Sequence, residues 1–123
     1  MSMKPTVVWT EIPVTDIEAS ARFYAEVFGW KMNVDTSGPN PMAVFDGQNE
    51  SIAGHLYPGM PAADGGNTIH LALPGSLEDG MARCTKAGGT VVSPAVAIPP
   101  GRFAYAKDPD GNSIGLFEPA RRG

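Results

Sequence analysis

One pattern recurs in this chain at an offset of 60 residues, and it limits the available folds more than any other feature. Ile17, Ala21, Tyr24 and Phe28 are spaced by 4, 3 and 4 residues, the stripe of an amphipathic helix, and Gly29 follows where a left-handed C-terminal cap is needed. Leu77, Met81, Cys84 and Gly88 repeat that spacing, and Gly89 stands 60 residues after Gly29. A β-prone run and a capping-box pattern precede each stripe: residues 7–14 with Thr15-Asp16-Ile17-Glu18 in the first copy, residues 67–74 with Ser76 to Asp79 in the second. Three short β-prone runs follow each helix, at 31–35, 42–45 and 51–57, then at 90–97, 102–107 and 113–117, with turn-rich segments between them. The pattern predicts an α+β fold of two βαβββ modules in a single domain, residues 6–58 and 67–119, joined by a Pro- and Gly-rich linker at 59–66.

Alternation along the strands assigns their faces. In the first strand Val8, Ile12 and Val14 share one side and Trp9 and Glu11 the other; in the second module's opening strand Ile69, Leu71 and Leu73 oppose Thr68, His70 and Ala72. The last strand follows the turn Asp108-Pro109-Asp110-Gly111-Asn112, so the two form a hairpin, with Ile114 and Leu116 on one side and Ser113, Gly115 and Phe117 on the other. The uniformly aliphatic sides belong under the helices. The opposite sides then line a concave cavity carrying Trp9, Glu11, His70, Phe103, Tyr105, Lys107 and Phe117, an aromatic wall with a few polar groups, which is how a small-molecule pocket is built. Glu118 shares the parity of Ile114 and Leu116 and lies off that wall. A buried Glu11 would need a partner, for which Lys107 is the expected choice. Cys84, on the helical stripe, reads as a packing residue.

Composition sets outer limits. The net charge of -4, with Lys and Arg scattered, argues against nucleic acid and anionic membranes as partners. No apolar run is long enough for a membrane-spanning helix, and MSMKPTVVW lacks the apolar segment of a signal peptide, so the expected location is cytoplasmic. The lone Cys84 has no disulfide or CxxC partner, which fits a reducing compartment.

The two βαβββ copies, the segment EIPVTDIEASARFYAEVFGW and the segment FAYAKDPDGNSIGLFE together resemble the vicinal-oxygen-chelate superfamily, which includes glyoxalase I, extradiol dioxygenases, and fosfomycin- and bleomycin-resistance proteins. The resemblance covers residues 6–119. It implies that each module curls into a half-barrel and that two chains pair as a homodimer. It also implies where a metal would be held, by a His or Gln on a module's opening strand and a Glu on its closing strand. Here the pattern departs: Trp9 occupies the first opening-strand position, His70 fits the second, Gly115 replaces the closing-strand Glu, and His55 is the sole first-module closing-strand candidate, with its register open by one residue.

Two functions follow from the resemblance, and a third from the residues themselves. The favoured one is a cofactor-free binding protein similar to the bleomycin-resistance branch, taking an aromatic or amphipathic small molecule. The alternative is a glyoxalase-like lyase or a dioxygenase whose Zn, Ni, Fe or Mn is held by a rearranged set of His70, Glu11 and His55. The third is metal-free catalysis, with Glu11 or His70 as general base beside Tyr105 as acid.

Overall fold

A computed structural model describes residues 9–47, 53–62 and 65–120. Strand β1 (Trp9–Val14) leads into helix α1 (Ile17–Phe28), followed by β2 (Val34–Asp35), β3 (Met42–Val44) and β4 (Ala53–Pro58). The second module runs β5 (Ile69–Ala72), α2 (Leu77–Lys86), β6 (Thr90–Val91), β7 (Val96–Ile98), β8 (Gly101–Lys107) and β9 (Ser113–Pro119). The first module's sheet has the order β1-β4-β3-β2, and the second's has β5-β9-β8-β6, with β7 also paired to β8. In both, the opening strand pairs in parallel with the closing strand, β1 with β4 and β5 with β9.

The helices form where their apolar stripes find a sheet to cover. Ala21, Tyr24 and Phe28 of α1 are buried with Ile12, Val14 and Leu56, and Leu77 and Cys84 of α2 with Leu71, Ala104, Ile114 and Leu116. The two helices also touch, and Arg83 of α2 donates from Nε to the Val27 carbonyl of α1 at 3.1 Å. One core therefore runs along the helix side of both sheets, leaving the opposite faces uncovered by any element of the described chain.

The hairpin turn between β8 and β9 joins the modules. Asp108 is buried; its Oδ1 accepts from the backbone N–H groups of Asp110 and Asn112, at 2.9 and 2.8 Å, which closes the turn. Its Oδ2 accepts from the Tyr24 hydroxyl of α1 at 2.8 Å. Burial first, and then the neighbouring Asp108 carboxylate, push the Tyr24 phenol well above its ordinary pKa. Asn112 donates from Nδ2 to the Pro13 carbonyl at 2.8 Å, and Asp110 accepts from the hydroxyls of Thr15 and Ser20.

That docking corrects one expectation. Asp16, not Thr15, is the N-cap of α1, accepting from the Ala19 N–H at 3.1 Å, because the Thr15 hydroxyl is turned outward to Asp110. The second capping pattern holds as read, with Ser76 Oγ accepting from the Asp79 N–H at 3.1 Å. The ends of the helices differ. Gly29 takes the left-handed conformation after α1 (φ 74°), whereas after α2 the left-handed residue is Gly88 (φ 104°). Gly89 is needed for space, since a Cβ there would lie 2.7 Å from Cys84 Sγ and 2.8 Å from the Lys107 carbonyl oxygen.

The strands are shorter than the sequence pattern implies. The run at 90–97 divides into β6 and β7, separated by a segment containing Pro94, which has no N–H for a ladder. The run at 31–35 reduces to β2, and β3 ends in a 3₁₀ turn, Phe45–Gly47. There Asp46 has φ 56° and its Oδ1 accepts from the Lys31 N–H at 2.9 Å. Parts of the expected runs at 7–14 and 51–57, and of the linker, lie outside the described residues.

Candidate functional site

Register settles which side chains share the open faces. In the first sheet Glu11 pairs with His55, and His55 with Val44, so His55 stands on the same face as Trp9 and Glu11. In the second, His70 pairs with Gly115, Gly115 with Tyr105, and Phe117 with Phe103, which puts the imidazole and three aromatic rings on one face. Lys107, opposite Ser113, belongs to that face by the same alternation. Glu118 lies on the helix side. It accepts from the Leu77 N–H at the start of α2 (2.8 Å) and from Arg102, which also forks onto both oxygens of Glu78 at 2.7 and 2.9 Å.

On the first face, Trp9 Nε1 donates to His55 Nδ1 at 2.9 Å. An indole nitrogen can only donate, so Nδ1 must be the acceptor, and a neutral His55 carries its proton on Nε2. Glu11 Oε1 lies 3.7 Å from that Nε2. The Glu11 side chain is 64% exposed, so the expected need for a buried-charge partner does not arise: β1 is the sheet's edge strand and its open face meets the cleft. On the second face His70 is ringed by Phe103 at 4.9 Å, Tyr105 at 5.8 Å and Phe117 at 6.3 Å between ring centroids, and Phe103 meets Tyr105 edge-on at 5.2 Å.

Gly115 explains how the imidazole fits. A Cβ built on Gly115 would fall 2.0 Å from His70 Nδ1 and 2.6 Å from its Cγ. Any side chain there would displace the whole ring. His70 thus fills the space that a closing-strand side chain would need.

A cleft of about 820 Å³ lies between β1 and β5. Trp9, Glu11 and His70 all border it, together with Asn67, Thr68 and Ser113. Of the residues expected on the wall, these first three meet at the cleft, while Phe103, Tyr105 and Phe117 surround His70 on the adjoining face. Met60 and Ala62 of the linker also border it. Alternation along strands gave no hint of them, because a turn-rich linker has no period from which a face can be read.

The sequence profile of the Glyoxalase/Bleomycin resistance protein/Dioxygenase superfamily matches residues 6–116. The chain belongs to this superfamily. Among proteins of known structure that this chain resembles, TnmS3, an antibiotic binding protein from Streptomyces sp. CB03234, is 26% identical with a TM-score of 0.63, over 98% of this chain and 99% of that one. A glyoxalase-related enzyme from Fulvimarina pelagi is 25% identical with a TM-score of 0.66, over 92% and 87% of the two chains. CFP32 of Mycobacterium bovis is 27% identical over an alignment of 121 positions that covers 92% of this chain and 45% of that protein, so the chain spans about half the length of this curated relative.

The donor set does not fit the metal arrangement expected of the superfamily's metal enzymes. Gly115 brings no donor and its space is taken by His70, Trp9 stands where an opening-strand ligand would, and His55 Nδ1 already accepts from the indole. Among the described residues no three His, Cys, Asp or Glu side chains gather closely enough to hold an ion. Within the same residues no helix is long and apolar enough to cross a membrane.

Proposed function

We propose that the protein binds a small aromatic or amphipathic molecule at the cleft between its two opening strands, without a metal ion, and that it does so as a homodimer. The observation that carries this reading is the exposure of Trp9, 42%, at the border of the cleft, with Tyr105 40% exposed on the adjoining face, although each is anchored on a strand. Rings left in water on rigid strands offer stacking surface to a ligand. Glu11 and His70 would then orient a polar group of that ligand. The likeness to an antibiotic binding protein is consistent with this.

The dimer half of the proposal rests on the same faces. Met42, Val96 and Ile98 are also exposed, and by register they belong to the open sides of the two sheets. A second copy would cover apolar surface that a monomer leaves in water. Light scattering at micromolar concentration should give twice the chain mass, and a monomer mass would refute it.

The binding half is tested by thermal shift with planar aromatic compounds on chelator-treated protein. At least one compound should raise the melting temperature of the wild type, and the shift should shrink in Trp9→Ala. If compounds act only after zinc, nickel, iron or manganese is restored, the metal-dependent reading replaces this one.

A further inference from the structure

The bond from Trp9 to His55 has a consequence for the kind of ligand that suits the first sheet's open face. It fixes the neutral imidazole in the tautomer with a proton on Nε2, so a donor and an acceptor, His55 Nε2–H and Glu11 Oε1, stand side by side 3.7 Å apart. That separation is too long for a direct hydrogen bond and leaves both groups with unused capacity. His55 is held with its side chain only 15% exposed, beside Tyr57 at 6.2 Å, whereas Glu11 is largely free to adjust. The neighbouring strand β3 adds only the uncharged Val44 at this point.

A group that enters between them must accept from the imidazole and donate to the carboxylate at once. A hydroxyl does both; a carboxylate or a carbonyl cannot donate, and an ammonium cannot accept. We infer that Trp9, His55 and Glu11 form a hydroxyl-selecting site, which takes an uncharged aromatic alcohol or phenol with its ring near the Trp9 indole and its hydroxyl between His55 and Glu11. The inference rests on the binding reading above. In it His55 has two tasks: it positions the Trp9 indole through Nδ1 and touches the ligand through Nε2.

Naphthol and methylnaphthalene, alike in shape but not in hydrogen bonding, provide the test. The wild type should bind naphthol at least about fivefold more tightly than methylnaphthalene, since fivefold is the worth of a single net hydrogen bond and the hydroxyl makes two. Glu11→Met should abolish that preference and leave the Trp9 indole N–H resonance in place. His55→Phe should abolish the preference and also shift that resonance. Nitrogen-15 spectra of the imidazole should show His55 protonated on Nε2. Equal binding of the two probes by the wild type, or a His55 protonated on Nδ1, overturns this proposal alone. Failure of both probes to bind also overturns this proposal, while the cleft reading is overturned only if no planar aromatic compound shifts the melting temperature.

Discussion

Gly115 and His70 act as one unit, because the imidazole occupies the space that a Cβ at position 115 would fill. His70 is exposed and its ring can turn away, so Gly115→Ala should destabilise the protein by about 1 kcal/mol, and His70→Ala in the same chain should recover most of the loss. Denaturant midpoints for the two single variants and the double variant would check this; a double variant no more stable than Gly115→Ala would show that the collision is not with His70. A second residue pair, Tyr24 and Asp108, is buried and hydrogen-bonded. Asp108→Ala leaves the phenol without a partner and opens the turn, a loss on the order of 3 kcal/mol, whereas Tyr24→Phe should lose about 1 kcal/mol. Because the folded phenol's pKa is raised, its contribution is complete below the ordinary tyrosine pKa of 10.0 and fades as pH climbs beyond it. The difference in phenolate absorbance between wild type and Tyr24→Phe should accordingly stay flat up to pH 10.0 while the protein is folded. Alternation placed Trp9, Glu11 and His70 correctly at this scale, since each strand's period is local. The face of His55 needed its pairing with Glu11 across the sheet, which no local pattern contains.

At the scale of elements, both helices were legible because an apolar stripe and a cap each repeat within a few residues. The splitting of one expected strand into β6 and β7 was less so, although Pro94 marked the place. The start of α2 shows how a sheet supports a helix end: Glu118 on β9 caps the Leu77 N–H, and Arg102 on β8 ties that carboxylate to Glu78. Hydrogen bonding from Arg102 lowers the Glu78 carboxyl from 4.5 to about 2, and the Leu77 N–H followed by Arg102 lowers that of Glu118. Both shifts are downward, so their contribution is complete above the unfolded carboxyl pKa and is lost as pH falls from 4.5 toward about 2. Glu78 is exposed and Arg102 and Glu118 are only partly buried, so solvent screens the pairs and the effect should be small. Urea midpoints of wild type and Arg102→Gln should differ at neutral pH and converge toward pH of about 2; a constant gap across that range would remove the ion pairs from the explanation.

For the whole molecule, the 60-residue offset announced two modules but not how they are joined. The join depends on contacts between residues as far apart as Tyr24 and Asp108, separated by 84 positions, and the turn that supplies them reads locally as an ordinary hairpin end. Docking that turn on α1 and β1 sets the two opening strands beside one another and so creates the cleft. The central claim is that this cleft binds an aromatic molecule without a metal, and calorimetric titration of chelator-treated wild type and Trp9→Ala with one aromatic compound tests it most directly. The account predicts saturable binding by the metal-free wild type, weakened about tenfold by loss of the indole. Binding that requires an added divalent ion, or that Trp9→Ala leaves unchanged, would contradict it.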